Sequence, residues 1–558
     1  MIARCIAVLL LFALESARLP AQELPVYQNG VAVAADSLVS AIGIDVLRQG
    51  GNAVDAAVAM GFALAVVYPG AGNIGGGAYL VMRLADGRDI AIDGREVAPG
   101  KARRDMYLDE NGDVIPGKSL LGPIASGVPG TVDALLLALR NYGTMSRSTV
   151  MAPAIRLARE GFAVHPRLAR QVAFYRDGLE RFPATLAMFS TDSGLIRAGS
   201  VWKQPDLAAT LERIRDEGRD GFYRGLTATR IMETMEKYGG IMTLEDLARY
   251  RAMVRAPVRG TYRGCEILSM PPSSSGGVAL IEILNILSGY DIRGMGFGSA
   301  AVVHLMAEAF RRAFSDRAEF LGDPDFVPVP TAKLVSRGYA RERAHTIADT
   351  ATPSALVGGL PVNVEEGRQT THYAVVDRMG NAVSVTTTIN SIFGSKCVVE
   401  GAGFLLNNEM DDFSAKPGEP NQFGLIGNEA NAIAPGKRML SSMAPTIVLK
   451  NGEPWLVTGS PGGSRIITTV AQVIVNVIDF GMNIREAIAA PRVHHQWLPD
   501  RIEYEPDALS EPVKAELLRR GHALYEVGPF GRAEGILRVS TGWTGFSDPR
   551  GYGEAAGW

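Results

Sequence analysis

Thr370, Thr371 and His372 stand at the head of an apolar run, TTHYAVVD, and a second hydroxyl-rich run, AVSVTTTIN, returns after Arg378, Met379 and Gly380. A threonine hydroxyl is a weak nucleophile that needs a neighbouring base or a hydrogen-bond network, and a free N-terminal amine is one such base. Strand alternation puts Thr370, His372, Ala374 and Val376 on one face and Thr371, Tyr373, Val375 and Asp377 on the other. A three-residue loop with Gly380 in the left-handed conformation pairs Asp377 with Asn381 and brings Thr388 opposite Thr370, whereas a two-residue loop breaks that match. Thr370 has no free amine unless the bond from Gln369 is broken. The arrangement therefore points to self-cleavage, with Thr370 attacking the carbonyl before it and emerging as the N-terminus of a second chain. The competing reading of the same hairpin is that β-branched threonines simply suit a strand.

The segment Asp349 to Gln369, rich in Pro, Gly and acidic residues, precedes the threonine pair and reads as the strand to be cut. Helical spacing runs from Leu38 to Val67 with a break at Gly50 and Gly51, and again at Gly130–Tyr142, Met151–Glu160, Asp206–Asp216 and Ala300–Phe320. Strand patterns cover Ala78–Leu84, Glu266–Met270, Thr371–Val376, Ala382–Ile389 and Thr446–Leu449. Helices thus dominate the first two-thirds, strands gather in the last third, and no repeat or long linker separates independent domains.

The 558 residues, 47% hydrophobic and 21% charged, suffice for a large folded core, and a net charge of -3 offers no basic field for nucleic acid. A small-molecule substrate is easier to accommodate. The opening MIARCIAVLLLFALESARLPAQ places Arg4 before an apolar run and then small residues, which reads as a signal peptide over 1–21 and an exported, secreted or periplasmic product. That run is too short to span a bilayer, and no later stretch reaches about 18 apolar residues, so no stable membrane span is expected. Cys265 and Cys397, the cysteines of the mature chain, are too few for a disulfide framework and have no zinc spacing.

Downstream of the hairpin lie LLNNEMDDFS (Leu405 to Ser414), KRMLSSMAPTIV (Lys437 to Val448) and TGSPGGSRIITT (Thr458 to Thr469); upstream lie GGNAVDAAVA, NIGGGAYL, DGREVAP, GVPGTV and MPPSSSGG. Together with TTHYAVVD, in this order over nearly the whole mature chain, they resemble the gamma-glutamyltranspeptidase family. The resemblance implies an α+β N-terminal-nucleophile (Ntn) hydrolase fold, a four-layer αββα sandwich. It also implies a precursor cut into a large subunit, 22–369, and a small one, 370–558, which remain one intertwined unit. The implied reaction is cleavage of glutathione and related γ-glutamyl compounds through a γ-glutamyl ester on Thr370, followed by hydrolysis or transfer to an amino acid or peptide. No cofactor or metal is implied.

Carried onto this sequence, the resemblance makes Thr370 the nucleophile, Thr388 the group that orients it, and the amides of Gly462 and Gly463 the oxyanion hole. Arg95 becomes the clamp for the substrate α-carboxylate, with Ser441 and Ser442 as hydroxyl donors, while Asn390, Glu409 and Asp412 hold the α-ammonium. Cation and anion are both needed, because a buried charge left unpaired is costly. Taken singly, Arg95 reads as a surface ion-pair residue, Asp411–Asp412 as a solvated turn and Ser441–Ser442 as a turn or cap. The glycine runs lack the Lys-Ser/Thr of a phosphate loop. His494 and His495, adjacent on a strand, diverge and make a poor metal pair, and His372 reads as a structural neighbour of Thr370.

Two departures from the family pattern are Ala374, where serine is common, and Phe423, where tyrosine is common in the lid segment Lys416–Arg438. The second removes a lid hydroxyl for Asn390 and leaves closure to the ring. Rival readings are an acylase for glutaryl-cephalosporins, for which an ammonium-binding Asp412 has no use; a poly-γ-glutamate depolymerase, which a lid would obstruct; and a non-catalytic binding protein of the same fold, which would not be cut.

Overall fold

The computed structural model describes residues 23–192, 194–358 and 370–558. The expected signal peptide and the end of the expected leaving tail, from residue 359 to Gln369, lie outside the described residues.

The threonine hairpin forms as the turn chemistry requires. Strand Thr371–Asp377 pairs antiparallel with Ala382–Thr388 in the register Thr371 to Thr387, which continued by one step sets Thr370 against Thr388. Asp377 N donates to Asn381 O at 3.1 Å, and Gly380 takes φ +92° inside the three-residue loop, a conformation cheap only for glycine. Asp377 also accepts from Met379 N and Asn381 N on one oxygen, and from Ala53 N at 2.8 Å on the other. That last bond ties the turn to the start of helix Ala53–Val67, so turn and helix are fixed together.

The hairpin is the centre of a seven-stranded antiparallel sheet. Its order is Glu554–Gly557, Gly30–Ala34, Thr371–Asp377, Ala382–Thr388, Gly77–Arg83, Asp89–Gly94 and Met253–Arg255. A second antiparallel sheet of six strands runs Gly542–Ser547, Glu534–Val539, Glu453–Gly459, Thr446–Lys450, Cys265–Ser269 and Val258–Tyr262. One apolar cluster fills the space between the seven-stranded sheet and helices Ser37–Arg48, Ala53–Val67 and Thr131–Tyr142, and includes Tyr373 and Val375. The other lies between the two sheets and under helices Gly276–Leu287, Ala300–Phe320 and Arg465–Ile478, and includes Ala374 and Val376. The order helix, sheet, sheet, helix is the expected αββα sandwich. Alternate residues of one strand feed two different cores, so both faces of Thr371–Asp377 are buried.

Helix Ala53–Val67 is buried at every position and starts in a capping box between Asn52 and Asp55. Its small side chains let it lie close on the sheet. The expected gathering of strands in the last third is corrected here: three strands from the first hundred residues share the hairpin's sheet, two of them flanking it, and Gly30–Ala34 and Asp89–Gly94 were not marked by the sequence pattern. Both are short, and one is entirely and the other almost entirely buried, so neither shows the polar alternation that marks a half-exposed strand. Cys265 and Cys397 are buried free thiols. No helix among the described residues is long and apolar enough to cross a membrane.

Candidate active site

A narrow chamber of about 20 Å³ lies where the hairpin ends, and its wall carries Thr370, Thr388, Asn390, Arg95, Glu409 and Asp412. Ser441, Ser442 and Gly463 also line it. Of the ten positions assigned from sequence, Gly462 alone lines a neighbouring cavity instead. Residues separated by more than 360 positions are thus gathered around one threonine. Thr371, on the opposite face, does not reach the chamber.

Each polar side chain has a local reason for its place. Thr388 ends its strand, and its Oγ1 accepts from Asn390 N at 2.8 Å in a tight turn that puts Asn390 at φ +71°, a region asparagine tolerates. Asn390 Nδ2 then donates to Asn408 O at 3.0 Å, linking the hairpin to the short 3-10 helix Glu409–Asp412. Ser441 is fixed by backbone bonds to the Ser273–Ser275 loop, and its Oγ accepts from Met443 N at 3.1 Å. The Ser442 hydroxyl is buried beside it, with no hydrogen-bond partner among the described residues.

Arg95 is fully buried, not a surface ion-pair residue. Its Nη1 donates to Glu409 Oε1 at 2.6 Å, its Nη2 to Asp412 Oδ2, and its Nε to Met439 O at 3.1 Å. Burial alone would weaken the guanidinium, but the Glu409 and Asp412 charges reverse this and raise its pKa. The cation and the two acids assigned to opposite ends of a substrate head group are therefore paired with one another. Glu96, which the sequence reading passed over, lies 3.5 Å from Arg95 Nη1, wholly buried. Burial pushes its carboxyl up to about 7 against the pull of Arg95, and burial followed by the Glu96 charge pushes Glu409 well up. The three neighbouring acids oppose one another's ionisation, while Arg95 favours it.

Gly462 and Gly463 adopt φ +136° and +57°, and helix Arg465–Ile478 begins two residues later. The positive end of that helix faces the loop, which favours negative charge there. A Cβ on Gly463 would come within 2.6 Å of the Phe423 ring, so glycine is required both by conformation and by the lid that lies on it.

The lid closes by backbone and amide bonds in place of a tyrosine hydroxyl. Asn421 Nδ2 donates to Asp412 Oδ1 at 3.2 Å, Gln422 N to Asp411 Oδ2 at 3.0 Å, and Ser391 Oγ to Gln422 Oε1 at 2.6 Å. The Phe423 ring and Leu425 cap the chamber. Asp411 is buried, not part of a solvated turn, and burial raises its carboxyl to about 7 against hydrogen bonds from Ser119 and Gln422. A folded pKa above the unfolded value of about 4 means that the native state takes up a proton, a stabilising contribution present at low pH and lost as pH rises through 7. We expect the melting temperature of the wild type, relative to Asp411→Asn, to fall between pH 5 and pH 8; a constant difference would contradict this.

His372 is buried outside the chamber, with Nδ1 2.9 Å from Thr386 Oγ1, and burial lowers its pKa to about 3. His494 is held by Thr468 and Gln496, and His495 by Arg311, Asp500 and Trp497, so the two rings diverge as expected. His304, Glu308 and His522 do converge, but Glu308 is already shared by Arg311 and Arg312, two cations that oppose a third.

Arg317 was missed. It lines the chamber from helix Ala300–Phe320 and donates from Nε to Ser275 Oγ at 3.0 Å, and Ser275 Oγ donates to Ser441 O at 2.6 Å. Its signal was present, since Phe310, Phe314 and Arg317 fall at i, i+4 and i+7 on the buried face. An arginine on an apolar stripe marks a site. Met443 and Ile466, also on the wall, carry no signal that separates them from core residues.

Residues 39–558 match the family model described as Gamma-glutamyltranspeptidase. The chain is 48% identical to the glutathione hydrolase proenzyme of Escherichia coli K12 over 526 residues, covering 94% of this chain and 90% of that protein. Among solved structures, a cephalosporin acylase from Bacillus halodurans superposes with a TM-score of 0.85 at 30% identity, covering 98% of this chain and 99% of the other. The Helicobacter pylori gamma-glutamyltranspeptidase gives 0.58 at 43% identity, covering 62% of this chain and 99% of that one.

Proposed function

This chain belongs to the gamma-glutamyltranspeptidase family and is a self-processing gamma-glutamyltransferase and glutathione hydrolase; we propose that it is cut between Gln369 and Thr370 and that the new terminal threonine carries the γ-glutamyl ester. The observation that carries this reading is the register of the hairpin, which delivers Thr370 to the mouth of a chamber whose other wall holds Arg95 and Asp412.

In maturation the Thr370 hydroxyl attacks the Gln369 carbonyl, the peptide nitrogen leaves as the Thr370 amine, and water hydrolyses the resulting ester. The freed amine is then the base for the same hydroxyl. In turnover it takes the hydroxyl proton as Oγ1 adds to the γ-carbonyl, and the amides of Gly462 and Gly463 hold the oxyanion. The amine product leaves with a proton, and water or a second amine resolves the ester. Thr388, opposite the nucleophile, orients it.

The head group of the substrate is a zwitterion with adjacent charges of opposite sign, and an adjacent cation and acid is the complement it needs. Arg95 with Ser441 and Ser442 takes the α-carboxylate, and Asp412 with Glu409 and Asn390 takes the α-ammonium. The unpartnered Ser442 hydroxyl supports this assignment. Glutathione and other γ-glutamyl compounds are the donors, and amino acids or peptides the acceptors. These steps use side chains and backbone alone. Residues 1–21 act as a signal that sends the chain to the periplasm or medium, and 22–369 and 370–558 become the two subunits. A denaturing gel with N-terminal sequencing is expected to show a fragment beginning TTHYAVVD; a single intact chain in active enzyme overturns the proposed cut.

A further inference from the structure

Helix Ala300–Phe320 buries Arg311, Arg312 and Arg317, and the first two are neutralised close by. Arg311 and Arg312 share Glu308, one turn back on the same helix, and Arg311 also reaches Asp500. Arg317 has no such partner. It is 4% exposed and forms no ion pair among the described residues, although an unpaired buried charge is costly. The one hydrogen bond of its side chain there runs from Nε to Ser275 Oγ at 3.0 Å, which leaves both Nη groups with donors to give on the chamber wall. Burial pushes its pKa down to about 10, against the pull of the Asp412 charge.

Arg95 is the opposite case. Its Nε donates to Met439 O, its Nη1 to Glu409, and its Nη2 to Asp412 and, at 3.4 Å, to Leu440 O, while Glu96 lies 3.5 Å from Nη1. A substrate carboxylate brought to Arg95 alone meets a guanidinium already shared among acids.

We propose that Arg317 is a further specificity-determining residue, whose Nη groups bind the α-carboxylate of the γ-glutamyl donor beside Ser441 and Ser442. The inference deepens the reading of this chamber as the γ-glutamyl site and rests on it. Position supports the assignment: Arg317 holds Ser275 Oγ, and Ser275 donates to Ser441 O from both Oγ, at 2.6 Å, and N, at 2.8 Å. Arg317 therefore stands one hydroxyl away from the loop that carries both serines. Each serine has a hydrogen to give. Ser441 Oγ accepts from Met443 N and donates to no described residue, and the buried Ser442 hydroxyl has no partner among them. A guanidinium and two hydroxyls with uncommitted hydrogens on one wall are the complement of a carboxylate, and the cation repels an ammonium. The bound carboxylate gives Arg317 the counter-charge that Glu308 gives Arg311 and Arg312.

The test uses the processed enzyme and two donors that differ only in the carboxylate, γ-glutamyl-p-nitroanilide and 4-aminobutyryl-p-nitroanilide. The second is also read as a competitive inhibitor of the first, so its binding is measured whether or not it turns over. Arg317→Gln is expected to lower kcat/KM for the γ-glutamyl donor roughly 10- to 100-fold, the loss of a charge-assisted pair. It should leave the inhibition constant of the 4-aminobutyryl compound unchanged. Arg317→Lys keeps the charge without the fork and should recover part of the loss. A residue that only braces the Ser275–Ser441 loop would weaken both compounds alike, and that result overturns the proposal. Unchanged γ-glutamyl turnover in Arg317→Gln overturns it too. Should Arg317→Gln stay uncut, Arg317→Lys decides: an equal loss with both compounds counts against the assignment, and a loss confined to the γ-glutamyl donor supports it. Absence of γ-glutamyl turnover in the wild type would instead remove the reading of the chamber itself.

Discussion

Thr370→Ala is expected to accumulate as an uncut precursor with γ-glutamyl turnover reduced by at least about 10⁴-fold, the scale seen when a covalent nucleophile is removed. The substitution removes the attacking oxygen from both reactions, so maturation and catalysis fail together. The fold should survive. Thr370 lies just before strand Thr371–Asp377, whose pairing with Ala382–Thr388 and Gly30–Ala34 does not use the Thr370 side chain. Melting temperature therefore separates this outcome from collapse, and mass spectrometry of the denatured chain reads the cut directly. A two-chain product from Thr370→Ala would refute Thr370 as the autocatalytic nucleophile.

Asp412→Ala is expected to part the two reactions that Thr370→Ala joins. Asp412 contacts Arg95 and the lid residue Asn421 and is remote from the Thr370 peptide in function, so cutting should proceed. Turnover should not. Loss of the acid leaves the substrate ammonium without its counter-charge and deprives Arg95 of one of its two close partners. Breaking a buried pair of this kind costs about 3–5 kcal/mol, or roughly 10²- to 5 × 10³-fold in kcat/KM. Kinetics on a γ-glutamyl anilide, together with a gel showing two chains, measure both halves. Unchanged kinetics would remove Asp412 from the site. The same variant tests substrate class, because a glutaryl donor without the α-amino group should be affected far less.

Much of this site was legible because its chemistry is local. The nucleophile, its partner hydroxyl and the turn that joins them lie within one hairpin, and Gly380 with Asp377 fixes the register by turn geometry alone. The glycines at 462 and 463 were assigned through the family resemblance, and the structure puts both at positive φ, where glycine is favoured. Arg317 and Glu96 were not read. Arg317 carried a signal in its place on the apolar stripe of its helix, whereas Glu96 looks like an ordinary charge to which only burial gives meaning. The lid was half read: Phe423 rules out a hydroxyl contact, but nothing in the spacing announces that Asp411 and Asp412 would hold Asn421 and Gln422.

The sequence by itself determined the hairpin register, the identity of the residue at its mouth, and a set of motifs sufficient to expect the αββα sandwich. The register and the residue at its mouth follow from strand alternation and turn stereochemistry, which act over a few positions, while the sandwich follows from the family resemblance that the motifs carry. Tertiary structure alone decided that Arg95 is buried against Glu409 and Asp412, and that Gly30–Ala34 flanks the nucleophile strand. Those pairings join residues hundreds of positions apart. They exist because two sheets bury both faces of one strand, and the cost of leaving a charge unpaired in that interior selects its partner.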